Sequence, residues 1–469
     1  MDNVTDKPTS YLMQILSQTI LRGKELLRRA QVTRATFYGV MTVGWRLLTG
    51  PITAILIIAF FTPELQGFYY TFISVWALQI FVELGFSNIV TYFAGHEWAK
   101  LSLDQRGRII GDANALSRLV SLGQSTFRWY LMGGMVVIFG VGAAGYLFFM
   151  HSPNAGVTWM APWFALCILS GINLMLLPVW SLLEGCNQVA QIYIFRMVGA
   201  ILSSSAVWAA IYLGAGLWTG SISVAVLLCW SAIFLVWRYR HFFKPFFSSP
   251  SGLRVSWWGE IWQVQWRTAM SYLSGYFTSQ VFTPVLFHFH GPIVAGQFGL
   301  TWSIVMAVAN FAGMWSGPRG PQFAVMIARK EYKAIDQILY RIIAVALGVL
   351  LAGGLAIWLL VYGLNILNHP FAARLLPPLP MALLLMGIVL GGVLQPTSVY
   401  LRAHKREPYM VLSIVMGIMI GLSSLILGRK FGAIGVASAY LGSIIILFPW
   451  NLAIFLNCRR KWHGNVEAG

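Results

Sequence analysis

The stretch VMTVGWRLLTGPITAILIIAFFTPELQGFYYTFIS, residues 40–74, decides how the chain is read. An apolar run, long enough for the roughly 20 residues that cross a hydrocarbon core, ends at Pro63. The chain turns through Gly67 and a second run begins. Inside the first run sits one arginine, Arg46, with Thr42, Thr49 and Thr53 at i, i+4, i+7 and i+11, hence on one helix face. Arg46 lies about nine residues in, roughly 13 Å deep at about 1.5 Å per residue. A guanidinium there costs at least about 2.5–3.5 kcal/mol unless water or a partner meets it.

Outward from this stretch, apolar runs fall near 38–61, 68–95, 130–150, 159–182, 197–213, 220–237, 268–289, 296–316, 342–365, 379–400, 409–428 and 433–457. The chain is 58% hydrophobic and only 10% charged, which excludes an ordinary soluble domain. Of its 32 Lys and Arg, 28 lie in the N-terminal arm, the loops after even-numbered runs, and the tail. The opposite loops hold Arg374, Arg429 and Lys430. The positive-inside rule therefore predicts about twelve transmembrane helices with both termini cytoplasmic. The net charge of +18 is explained by this topology and by anionic headgroups, without nucleic acid. No cleavable leader is expected from the polar N-terminus. Cys167, Cys186, Cys229 and Cys458 suggest neither a disulfide framework nor a metal site.

The expected organisation is a cytoplasmic arm (1–36), a six-helix bundle (37–237), a cytoplasmic linker (238–266), a second six-helix bundle (267–457) and a tail (458–469). Leu12, Ile15, Leu16 and Ile20 form one interfacial stripe; Trp257, Trp258, Ile261, Trp262 and Trp266 form another. The bundles read as a parallel repeat around a central cavity. At an offset of 229, Pro63 matches Pro292, Gly67 matches Gly296, Tyr69 is matched by Phe298 and Ser74 matches Ser303. Thr42 falls on Ser271 and Thr49 on Thr278.

Span 7 thus carries its own polar face: Arg267, Ser271, Ser274 and Thr278. Two such faces meeting would line a wet cleft; alternatively, the hydroxyls bond their own helix carbonyls. Glu83 in span 2 is the one carboxylate clearly inside a span, with Ser87, Asn88 and Thr91 nearby. It reads either as partner or proton site of a cationic cavity, or as half of a structural pair with Arg46. His288 and His290 point apart on a helix and are expected at the outer rim. Gly317-Pro318-Arg319-Gly320-Pro321 is expected to end span 8, and Leu103–Arg108 to be a solvated charge run.

The chain resembles bacterial polysaccharide flippases of the multidrug/oligosaccharidyl-lipid/polysaccharide exporter superfamily. The segments that carry the resemblance are TPELQGFYYTF (62–72), FVELGFSNIVTYFAGHEW (81–98), AGQFGLTWSIV (295–305), ARKEY (328–332) and VYLRAHKREPYMVLS (399–413). The resemblance implies two six-helix bundles around a V-shaped cavity lined by spans 1, 2, 7 and 8. It also implies flipping of an undecaprenyl-diphosphate-linked oligosaccharide or exopolysaccharide unit to the outer leaflet of the bacterial cytoplasmic membrane. Related lipid II flippases carry functional arginines in the cavity, one of them in span 1, a feature that Arg46 matches by span and depth. Arg46, with Arg267 or Arg319 from the cytoplasmic mouth, would engage the diphosphate.

The expected partners are the lipid-linked oligosaccharide, membrane lipids and a polymerase or export complex. A multidrug exporter of the same superfamily is the first alternative; a membrane glycosyltransferase or polymerase is the second. The sequence shows no nucleophile–base constellation, nucleotide loop or metal cluster, so a non-enzymatic transporter without cofactor is expected.

Overall fold

The computed structural model describes residues 34–151, 156–250, 252–316, 319–404 and 406–463. The stripe at Leu12–Ile20 lies outside them. Among the described residues, ten helices are long and apolar enough to cross a membrane. Two of the ten are hairpins. Thr268–Gly313 turns at Gly291 (φ 83°) and Met410–Trp462 turns at Gly432 (φ 60°). Both angles lie where a side chain is disfavoured. Unbroken, these helices would be roughly 70 and 80 Å long at about 1.5 Å per residue, more than twice a bilayer core of about 30 Å. Twelve spans result, in an all-α integral membrane fold.

Several spans are broken where the sequence frees a carbonyl. Span 2 runs from Pro63 to Trp98 but kinks at Leu84 and Gly85, both left-handed (φ 52° and 68°). Span 4 is Met160–Met175 followed by Leu177–Gly185, with Pro178 just past the break. Span 10 is Pro378–Gly391 followed by Leu394–Ala403, with Pro396 just past its break. Neither proline can donate the helical bond its position requires. Pro178 and Pro396 are 218 residues apart, and so are the turn glycines Gly214 and Gly432. Ser203 pairs with Ser223 (2.7 Å) between spans 5 and 6, as Ser423 pairs with Ser443 (3.4 Å) between spans 11 and 12. The repeat is therefore structural as well as sequential.

Spans 1–6 pack mainly on one another, and spans 7–12 likewise. The largest contact between the two sets is span 2 against span 8, the helix that follows Gly291. There the backbones nearly touch. A Cβ on Gly67 would lie 1.9 Å from the carbonyl oxygen of Pro292, and one on Gly296 would lie 2.8 Å from the Gly67 nitrogen. His290 sits at the same end, its Nε2 2.7 Å from the Gly428 carbonyl oxygen.

Three expectations gain detail. Leu101–Leu103 and Ile109–Gly111 form an antiparallel hairpin, and the charge run between them is its solvated turn. Asp104 Oδ1 accepts from the Arg106 and Arg108 amides (2.8 and 2.7 Å), which folds the turn. The Trp-rich stripe is continuous with span 7, as a π-helical turn at Trp257–Ile261 running into Trp262–Ser279. Span 8 ends at Gly313, just before the Pro/Gly segment, and a separate short helix, Gly320–Ala328, follows.

Overpacking a close helix crossing costs about 1–3 kcal/mol. Gly67→Ala is expected to lower the melting temperature of the detergent-solubilised protein by several degrees. Gly44→Ala, whose added methyl meets nothing within 4 Å, serves as the control and leaves it near wild type. Equal melting temperatures would mean that the crossing is looser than described.

Candidate substrate chambers

Each bundle encloses a chamber. The first, about 510 Å³, lies between span 1 and spans 4, 5 and 6, and is lined by Arg46, Asn173, Arg196, Ser203, Ser204 and Ser231 among others. Span 1 is tied to span 5 by two indoles. Trp45 Nε1 donates to Ser204 Oγ and Trp208 Nε1 to Thr53 Oγ1, each at 3.0 Å. Trp180 stacks on Phe195 at 4.0 Å to form a wall. Arg196 is held by Glu184 at 2.6 Å, so its charge is balanced. Arg46 is accessible and, among the described residues, makes no ion pair. The net charge of this chamber is therefore that of Arg46.

The second chamber, about 220 Å³, lies in the other bundle and includes Thr278, Ser279, Gln395 and Tyr440 in its lining. Among the described residues, no charged side chain lines it. Thr49 and Thr278, paired by the sequence repeat, each face the chamber of their own bundle. Leu177 and Gln395, each just before the proline of a broken span, do the same. Among the described residues, a free cation lines the first of the two rooms and not the second.

A third, apolar cavity of about 1030 Å³ lies between the bundles, bounded by spans 1, 2, 8 and 9. Phe371 and Leu375 line its outer end. They flank Arg374, whose guanidinium donates to the Phe61 carbonyl at the end of span 1, where a helix C-terminus favours a cation. Burial lowers the Arg374 pKa from its ordinary value. Gln66, 1% exposed, donates to the carbonyls of Gly296 (2.8 Å) and Arg374 (3.1 Å). This outer seam joins the bundles beside the glycine crossing.

A cytoplasmic seam joins them again on the span 2–span 7 side. Gln265 donates to the carbonyl of left-handed Leu84 (3.1 Å), and Asn88 donates to the Tyr272 hydroxyl (2.7 Å). Trp257 packs on Phe86 and Trp129 at 5.1 and 5.6 Å. Arg118 bridges Glu97 and Glu260, at 2.8 Å each.

The expected site residues are thereby distributed. Arg46, Thr49 and Thr53 face the first chamber; Thr42 is buried and donates to the Tyr38 carbonyl (2.8 Å). Thr49, Ser274 and Thr278 donate to carbonyls of their own helices, and so does Thr53 while accepting from Trp208. Ser271 lies by Arg402 and Glu407 in a small cytoplasmic pocket. The polar faces of spans 1 and 7 do not meet, because each turns into its own bundle. Glu83 accepts from Ser87 (2.7 Å) at the span 2 kink, and the Arg46–Glu83 ion pair is not formed. Arg319 Nη1 donates to Gln322 (2.8 Å). The Arg267 side chain lies outside the described residues. Sequence reading missed Asn173, Arg196 and the Ser203–Ser204 pair, although consecutive serines inside an apolar span are a visible signal.

No protein-family profile and no curated protein sequence matches the chain. Solved structures do. The lipid II flippase MurJ in an inward closed conformation aligns with a TM-score of 0.64 and 13% identity, over 92% of this chain and 90% of that one. An inward-facing multidrug resistance MATE family transporter of the MOP superfamily aligns with a TM-score of 0.61 and 14% identity, over 90% and 96%. The MATE multidrug transporter DinF-BH gives 0.53 and 14%, over 92% and 96%. At such identities the likeness is one of fold: the chain has the architecture of these transporters.

The Glu260 carboxyl is held below its ordinary pKa by the Ser256 amide and by Arg118. A depressed carboxyl stabilises the fold above its unfolded pKa of about 4.3 and loses that contribution as pH falls through the lower folded value. Glu260→Gln is therefore expected to melt below wild type at pH 7, with the gap closing as the pH is lowered toward 4 and beyond. A gap independent of pH would remove the carboxylate from the seam.

Proposed function

We propose that the protein flips an undecaprenyl-diphosphate-linked oligosaccharide, or a related exopolysaccharide unit, across the bacterial cytoplasmic membrane. One observation carries this reading: Arg46 is a free guanidinium in a chamber whose other charges are paired and whose walls bear hydroxyls, an amide and indoles. Such a room is complementary to an anionic group joined to sugars. Phosphate oxygens suit a guanidinium fork, while serine hydroxyls and Asn173 suit sugar hydroxyls. An unpaired cation at this depth is costly, and a diphosphate would relieve that cost. Alternating opening of the two seams would then expose the cargo to each face in turn. Glu83 at the span 2 kink is the candidate proton site for coupling. A polymerase or export complex would receive the cargo outside.

A multidrug exporter is the second reading, supported by the size and apolar walls of the cavity between the bundles. It does not use Arg46. In a strain lacking the gene, Arg46→Ala is expected to reach the membrane at normal levels, fail to restore surface polysaccharide, and leave the undecaprenyl-linked unit trapped on the cytoplasmic face. Full restoration by Arg46→Ala, together with raised drug sensitivity of the deletion strain, would favour drug export.

A further inference from the structure

Three cations stand in the outer loops, and one of them, Arg374, is engaged by the Phe61 carbonyl. The other two, Arg429 and Lys430, are adjacent and exposed at the end of span 11. Among the described residues, neither makes an ion pair. Glu64, the one carboxylate of the outer loops, lies in the turn between spans 1 and 2. Cations on this side run against the charge distribution that orients the chain. They also have no counterpart in the first bundle. At the offset of 218 that matches Gly432 with Gly214, Arg429 falls on Ile211 and Lys430 on Tyr212.

The fold holds the two cations at a defined edge. His290 Nε2 meets the Gly428 carbonyl at 2.7 Å, and the Arg429 guanidinium lies over the Phe289 ring at 5.6 Å. The turn between spans 7 and 8 is thereby interlocked with the turn between spans 11 and 12. Inward from Arg429, Leu425, Leu422, Ile418 and Val411 follow at i−4, i−7, i−11 and i−18, on the same face of span 11. All four are between 45% and 57% exposed. Another face of span 11 packs on span 7, where a Cβ on Gly417 would lie 3.1 Å from the Ser274 Cα. An exposed apolar strip thus ends in two cations.

We propose that this edge binds an anionic phospholipid of the outer leaflet, with its phosphate on Arg429 and Lys430 and an acyl chain along the span 11 strip. The length fits. Half of a hydrocarbon core of about 30 Å corresponds to about ten helical residues, which takes the strip from Arg429 through Leu425 and Leu422 to Met419. Guanidinium and ammonium groups suit a phosphate that carries net negative charge. A zwitterionic headgroup brings its own ammonium, which the two cations repel, so the edge selects by headgroup charge. A water-soluble anion would leave the apolar strip unused.

The full-length protein in phosphatidylcholine nanodiscs is photolabelled with a trace of phosphatidylglycerol carrying a diazirine in one acyl chain, and labelled peptides are mapped. The expected result is labelling of span 11 around Leu422 and Leu425. Unlabelled phosphatidylglycerol is expected to suppress it, and a phosphatidylcholine probe to label there about tenfold less. Arg429→Gln combined with Lys430→Gln is expected to lower labelling about tenfold, the loss of a charge-assisted contact. Arg106→Gln with Arg108→Gln, in the turn of the hairpin after span 2, is expected to leave it unchanged. The probe comparison and the competition use wild-type protein, so they stand even if a variant misfolds. Equal labelling by the phosphatidylcholine probe would reduce the strip to ordinary bilayer contact and overturn the proposal. Suppression by a polyprenyl diphosphate at far lower concentration than by phosphatidylglycerol would assign the edge to a prenyl-linked ligand and overturn it too. No labelling of span 11 by either probe would mean that protein covers the edge, and the proposal would fall with it.

Discussion

The crossing of span 2 over span 8 at Gly67 and Gly296 is the constraint on which the arrangement depends. In lipid there is little hydrophobic gain in bringing two helices together, so close van der Waals packing must supply it. Two glycines, matched by the internal repeat, let the backbones approach until a single methyl would collide with the Pro292 carbonyl. A pseudo-symmetric pair of helices brings equivalent positions together at its axis, so the same small residue is needed twice. Beside this contact lie the Gln66 bonds and the Arg374 clasp, which join the bundles on the outer face.

Span 2 takes part in both seams, and that links them. Its outer half is fixed to span 8 by the glycines, and its cytoplasmic half is held to span 7 through Leu84 and Asn88. The left-handed Leu84–Gly85 step lies between the two. Two residues there in a conformation that L side chains disfavour mark where the span bends with least loss of helix bonding. Glu83, Ser87 and Asn88 cluster around this step.

Much of this was legible in the sequence, and the reason is physical. Spans and turns follow from hydrocarbon thickness and from the glycines between apolar runs, which leave long signals. Gly67 and Gly296 stood out because a turn and a crossing both need them. Arg46 stood out because a charge inside an apolar run is rare. What remained hidden was rotation about the helix axis. A polar stripe in span 1 or span 7 states that one face differs; it does not state whether that face looks across the interface or into its own bundle. Helix pairing decides this, here through Trp45 to Ser204 and Trp208 to Thr53. The Arg46–Glu83 pairing failed for the same reason, since depth along a span is readable and azimuth is not. Arg374, a lone cation in an outer loop, carried no sign of its partner 313 residues away.

The repeat also explains why charge is informative. Duplication makes two similar rooms, with Thr49 matched by Thr278 and one kinked span matched by another. Scaffold features kept in both halves report on folding: the kink prolines, the turn glycines and the serine pairs between spans. Features present in one half only are free to report on cargo. Arg46 belongs to the second kind. At its repeat-equivalent position, 229 residues on, stands Gly275, and the chamber there is smaller and uncharged. Arg196 has Glu184 against it, Arg118 has Glu97 and Glu260, and Arg374 has the Phe61 carbonyl. Arg46 is accessible, makes no ion pair among the described residues, and faces hydroxyls.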